Sequence, residues 1–236
     1  MLYVVPWVAQ NWPAAKTMLD LIHEPLSQPQ TDQNTYTLGT LGGHNVATAC
    51  LPSGVYGTTS AAIVLSHMVP TFPCLQFGLM VGIGGGVPSE SADIRLGDVV
   101  VSMATATSGG VIQYDYGKTL CDERFQWTGS PNNPPHFLLT VVSKIRSNYM
   151  MGEKPIQGII RNILQKHQGM REQFSSPEKD WLFNSKYTHQ IGRNPRATDE
   201  PHIHYGLIAS GNQVMKDAER RDSIAQVLDI LCDADI

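Results

Sequence analysis

Cysteine is scarce and unpaired in this sequence. Cys50, Cys74, Cys121 and Cys232 stand far apart, with no CxxC spacing. That pattern argues against a zinc ligand set or a disulfide framework, and reduced thiols are expected. Long apolar runs are lacking too: none approaches the ~18 residues that a membrane-crossing helix needs. The opening Met1-Leu2-Tyr3-Val4-Val5 has no basic region and soon reaches polar Gln10 and Asn11, so no secretory leader is expected. Charge is thin in both signs. Lys and Arg number 17 against 21 Asp and Glu, a formal net charge of −4 with no block of like charge. The densest cluster, Lys216 to Arg221, alternates in sign and reads as a solvated helix face. Scattered cations leave no footprint for nucleic acid or an anionic membrane. The expectations are a cytoplasmic protein with no metal, no cofactor, no nucleic-acid partner and no membrane partner.

What is present suits one large α/β domain. An apolar share of 42% in 236 residues supports a sizeable core. Leu2 to Ala9 is an apolar run suited to a buried strand, and Pro13 opens a helical pattern through Ala14–Ile22. Tyr36–Leu41, Gly42-Gly43 and His44–Cys50 spell a hairpin. Gly57-Thr58-Thr59-Ser60 predicts a hydroxyl-capped helix through Ala61–Met68. Phe77 to Ile83 reads as a strand buried on both faces, and Leu96 to Met103 as the next strand. Cys121 to Pro201 is irregular, with helices near Phe137–Arg146 and Pro155–Gln168. His204–Ser210 returns to strand, and Lys216–Leu231 is expected to be helical. The predicted architecture is a single α/β domain over residues 1–236. Its central mixed sheet is flanked by helices, with an elaboration at about 121–200.

The run Gly82-Ile83-Gly84-Gly85-Gly86 is not a dinucleotide fingerprint. Val87 stands where the third glycine belongs, and Pro88-Ser89-Glu90 opens a polar loop instead of a helix. A strand ending in glycines still means close approach of backbone to a ligand or to a neighbouring strand. His202 and His204 share a strand face without an evident third ligand, which reads as a core or surface role. Asp98, after Gly97, reads as a turn or cap residue.

Five segments carry a resemblance by their order and spacing: Ser53–Ala62, Phe77–Gly86, Arg95–Ser102, Gln113–Gly117 and Tyr205–Gln213. Together they resemble the nucleoside phosphorylase and nucleosidase superfamily, in particular the domains that open fungal multidomain proteins. The resemblance implies a nucleoside phosphorylase-like fold, a small-molecule ligand and a homodimer. It implies a pocket formed by Met80, Ile83, Gly84 and Gly85, with Asn212, Gln213, Val214 and Met215 covering a purine base. Phosphorylases of this superfamily hold phosphate with an arginine before the pocket glycines and a serine within them. Met80 and Ile83 take those places, so cleavage of the N-glycosidic bond is expected to be hydrolytic rather than phosphorolytic. The acidic water activator of the hydrolytic members falls at or beside Asn11, an amide that orients water but takes no proton.

The C-terminal stretch is expected to be shortened relative to the family. Leu231-Cys232-Asp233 is either the stub of the ribose-binding strand, or Cys232-Asp233-Ala234-Asp235 is the aspartate-bearing stretch, with Asp233 the nominal catalytic acid. The plain alternative is an acidic surface tail. The readings left open are a purine nucleosidase, a pocket repurposed to bind or convert a non-nucleoside molecule in an isomerisation or cyclisation, and an inactive sensor or interaction module. The repurposed cavity would be lined by Trp7, Trp12, Met80, Ile83, Val214 and Met215.

Overall fold

The computed structural model describes residues 2–7, 12–55, 57–121, 125–128, 132–171, 181–183, 185–186, 190–196, 198, 200 and 201–235. The chain divides into two compact units, Met1–Ile83 with Gly211–Gln213 and Asp235–Ile236, and Gly84–Ser210 with Val214–Ala234.

The first unit is built on a five-stranded sheet of order β2-β3-β4-β1-β5. Strand β1 (Leu2–Trp7) runs parallel to both β4 (His44–Cys50) and β5 (Leu75–Gly78). The expected hairpin forms β3 (Tyr36–Leu41) and β4, paired from Tyr36–Ala49 to Leu41–His44. Its turn glycines, Gly42 and Gly43, take φ of 56° and 79°, a region open to glycine at little cost. Helix α1 (Trp12–Met18) is shorter than its sequence pattern suggests. Leu21–Ile22 leave it to become β2, antiparallel to β3 at Thr40 and Gly39. The sheet's unpaired edge outbids one more helical turn.

Helix α2 (Thr58–Thr71) lays Ser60, Val64 and Met68 on the sheet at four-residue intervals, with Ala61 beside them. These pack with Leu38, Ala47, Ala49, Leu51 and Phe72, and the Tyr36 and Phe72 rings meet edge to face at 4.9 Å. The hydroxyl cap expected for this helix is not found. Its N-cap is Gly57 at φ 101°, and the capping oxygen comes from elsewhere in the chain. The doubly buried strand expected over Phe77–Ile83 also fails. Strand β5 ends at Gly78 with alternating exposure, as on a half-covered sheet.

The second unit carries the order β6-β14-β13-β7, with β8 also on β13. Strand β13 (Ile203–Gly211) runs parallel to β7 (Val99–Ser102) and β8 (Val111–Gln113). Strand β14 (Ile230–Asp235) runs antiparallel to β6 (Gly84–Gly86). Helix α6 (Ala218–Leu228) begins at Asp217, whose carboxylate accepts the N–H groups of Glu219 and Arg220 at 3.0 and 3.2 Å. It ends at Asp229 in the left-handed conformation, so Leu231 falls in a strand instead of closing the helix. Tyr114, Ala209, Ile224 and Ile230 form the core between them. Smaller pairs join β9 (Gly117–Thr119) to β10 (Phe125–Trp127) and β11 (Leu182–Phe183) to β12 (Gln190–Ile191). Helices α3 (His136–Met150), α4 (Ile156–Lys166) and α5 (Gln168–Arg171) follow β10 in sequence.

Candidate functional site

In the second unit the glycine strand β6 meets β14, pairing Gly84 with Ala234, Gly85 with Asp233 and Gly86 with Cys232. A Cβ at Gly85 would lie 2.5 Å from Asp233 Oδ1, and one at Gly84 would lie 2.7 Å from the Asp233 carbonyl oxygen. The glycines are there because another strand occupies the space that a side chain would need. Asp233 is buried, at 7% exposure, and so is Cys232. Burial, with the Asp233 carboxylate beside it, pushes the Cys232 thiol up to about 11, so it stays a neutral thiol.

Asp233 also borders a narrow crevice formed with Tyr114, Ala209, Met215, Arg221, Ile224 and Ile230. The crevice is too tight to admit a water molecule, and the little surface it exposes is apolar. At the end of β13 the buried Ser210 hydroxyl has no hydrogen-bond partner among the described residues. Val214 is 38% exposed, while Met215 packs against the core.

In the first unit Asn212 is bound to the start of α2. Its side-chain oxygen accepts both the N–H and the hydroxyl of Thr58, each at 2.8 Å. A Cβ on Gly57 would come within 3.0 Å of that oxygen, so glycine gives both the backbone conformation and the room. Gln213 is exposed. Met80 and Ile83 are apolar and open, at 45% and 64% exposure. Trp12 donates its indole N–H to the Thr37 hydroxyl at 3.1 Å. Asn11 lies outside the described residues, as does the side chain of Trp7.

Gly84, Gly85, Met215 and Asp233 thus adjoin one another through β14, and Asn212 belongs to the α2 terminus. Sequence reasoning missed Ser210, Tyr114 and Arg221 as neighbours of that arrangement, and the Thr58 contact. Gln113–Gly117 and Ser53–Ala62 held the signal for Tyr114 and Thr58; nothing local marked Arg221.

Asp98 is a structural anchor. Its carboxylate accepts the Arg95 and His202 N–H groups at 2.8 and 2.9 Å and both terminal nitrogens of Arg196 at 2.7 Å. His204 Nε2 lies 3.0 Å away. Among the described residues, no three His, Cys, Asp or Glu side chains gather where a metal could sit.

Set against solved structures, the fold has counterparts at low sequence identity. A Borrelia burgdorferi protein assigned as a 5′-methylthioadenosine/S-adenosylhomocysteine nucleosidase, with adenine bound, matches 99% of this chain and 76% of its own. The TM-score is 0.61, at 16% identity. This chain has the fold of the nucleoside phosphorylases and nucleosidases. The Neisseria meningitidis 5′-methylthioadenosine/S-adenosylhomocysteine nucleosidase, in complex with methylthio-immucillin-A, matches at TM-score 0.56 and 13% identity. It is covered over 74% of its length, against 99% here. Futalosine hydrolase of Helicobacter pylori matches at 0.54 and 12%, over 77% of its length and 99% of this chain. The nucleosidase fold, with mixed sheets and flanking helices, is therefore the α/β class expected. No family model matches the sequence. A nucleotide-binding leucine-rich repeat (NLR)-like protein of the fungus Hyaloscypha variabilis is 43% identical over 243 residues, 98% of this chain. This chain spans 24% of that relative's length. No described helix is long and apolar enough to cross a membrane.

Proposed function

We propose that this chain binds a purine nucleoside and that its chemistry is hydrolytic, phosphate-independent cleavage of the N-glycosidic bond. The observation that carries the phosphate-independent part is the pair Met80 and Ile83. At the places that a phosphorylase gives to arginine and serine stand two exposed apolar side chains. A multiply charged anion finds no fixed cation or hydroxyl on either. The nucleosidase and futalosine hydrolase neighbours support hydrolysis, and the adenine held by one of them supports purine recognition.

Within this reading Asp233, on the strand against the pocket glycines, is the group assigned to protonate the departing base. Ser210 is a hydroxyl free to bond a ligand; Asn11 is assigned to orient the attacking water, whose proton passes to the carboxylate that Asp233 becomes on protonating the base. Gly84 and Gly85 form the floor, and Asn212, Gln213, Val214 and Met215 flank the base. The assembly is a homodimer working in the cytoplasm.

The test is to incubate the purified chain with adenosine, guanosine, inosine and methylthioadenosine, with and without phosphate, and follow free base by chromatography. Base release independent of phosphate is expected, and its loss in Asp233→Asn ties it to the site. Phosphate-dependent release defeats the proposal.

The NLR-like relative favours a second reading, in which the nucleosidase fold serves as a ligand-responsive sensor module joined to other domains. Under that reading purines bind without base release, as calorimetry with adenine would detect. Binding of an apolar non-nucleoside with no purine binding would instead indicate a repurposed pocket.

A further inference from the structure

Helices α3 and α4 differ from the other long helices. Helices α2 and α6 bury part of one face, whereas no residue of α3 or α4 is buried. Yet both carry apolar stripes. On α3, Phe137, Val141 and Ile145 recur every four residues at 47%, 47% and 40% exposure. On α4, Ile156, Ile159, Ile160 and Ile163 fall on one helical face, with Ile159 and Ile160 at 49% and 40%. At the C-terminal end of α3, Met150 and the capping Met151 stand out at 84% and 73%, the two most exposed large apolar side chains among the described residues.

Charge follows the same stretch. Residues 136–166 hold five cations, Lys144, Arg146, Lys154, Arg161 and Lys166, against Glu153 as the single acid. The rest of the chain holds twelve cations against twenty acids. A protein of net charge −4 thus concentrates +4 on two consecutive helices. Arg146 is occupied over the Tyr205 ring at 5.1 Å, and Lys154 pairs with Glu200 at 3.3 Å. Lys144, Arg161 and Lys166 are exposed and make no ion pair with a described residue.

The geometry points to the segment from α3 to α4 as a docking element for an anionic lipid bilayer, with Met150 and Met151 entering the acyl boundary and the cations meeting headgroup phosphates. Amphipathic helices with Lys and Arg flanking an aliphatic face bind bilayers in this way. A second copy would bring like charge onto like charge. No described helix is long and apolar enough to cross a bilayer, and surface docking requires none.

The test is co-sedimentation of the full chain with phosphatidylcholine vesicles, with and without phosphatidylserine, at low and high salt. Binding is expected only to the serine-lipid vesicles, weaker at high salt. Each of Lys144→Gln, Arg161→Gln and Lys166→Gln should weaken it about fivefold, and all three together about a hundredfold. Met150→Asp with Met151→Asp should abolish it with unchanged far-ultraviolet circular dichroism, since both side chains are exposed. No binding to serine-lipid vesicles overturns the assignment, and so does equal binding to neutral vesicles. A concentration-dependent dimer that the double Met variant dissolves, without vesicle binding, overturns it in favour of a second copy.

Discussion

Two carboxylates, Asp98 in the second unit and Asp32 in the first, are almost wholly buried, with side-chain exposures of 1% and 2%. They are satisfied by different means. Asp98 faces a guanidinium, an imidazole and two peptide N–H groups. Arg95, Arg193 and Arg196 also bond backbone oxygens of the facing segment, so the knot laces residues 193–196 to 93–98. Asp32 is held mainly by neutral donors. It accepts the Tyr36 and Thr71 hydroxyls and the Asn34 N–H, and His67 Nδ1 lies 4.0 Å away. Burial pushes both carboxyls up, and in both cases the bonds to the charged form outweigh it. Asp98, led by Arg196, falls well below the usual carboxylate range; Asp32, led by Thr71, falls below it as well. A buried charge can thus be met by ion pairing or by a cluster of neutral donors, and the two solutions should fail differently.

The largest effect is expected from separating the ion pair. Arg196→Met leaves Asp98 charged and buried and should cost about 3–5 kcal/mol, measured by urea unfolding. Replacing both partners, Asp98→Leu with Arg196→Met, should recover a good part of that loss. If the double variant is no better than the single one, the backbone bonds of Arg196 matter more than its charge pairing. Acid should come next. Both carboxyls are depressed in the folded state, so their stabilisation is full above the unfolded value of about 4 and is lost as pH falls through the folded values. Melting temperature should therefore decline below about pH 4, and Asp98→Asn should flatten that decline more than Asp32→Asn.

Thr71→Val removes one neutral donor from Asp32 and should cost about 1–3 kcal/mol. Gly85→Ala, whose Cβ would meet Asp233, should cost a similar ~1–3 kcal/mol through overpacking, and it should impair ligand binding if β6 floors the site. The smallest effect is expected at Lys186–Glu219, a pair 70% and 59% exposed. Lys186→Ala should change stability by no more than about 0.5 kcal/mol.

What was legible in the sequence was local. Gly42-Gly43 between two alternating runs fixed the β3–β4 hairpin, and the hydroxyl run before small residues marked α2, as the reading of Lys216–Leu231 marked α6, to within a few residues. The fold itself was legible through five ordered segments, each too weak alone. Partners distant in sequence were not. Asp98 read as a turn residue because its bond to Arg95 is local, while Arg196, His202 and His204 lie 98 to 106 residues away. Leu21–Ile22 read as helix because no local feature announces a waiting sheet edge. Of the site, Gly84 and Gly85 were found by composition, but the strand that fills their empty side-chain volume could not be read from them.

The bond between Asn212 and Thr58 has a consequence for how the chain comes into being. Thr58 and its cap are 154 residues apart. During synthesis at about 5–20 residues per second, roughly 8–30 s pass between making the helix start and making the oxygen that closes it. Through that interval the first turn of α2 must keep its amides in water. The front of the helix is thus completed long after it is made.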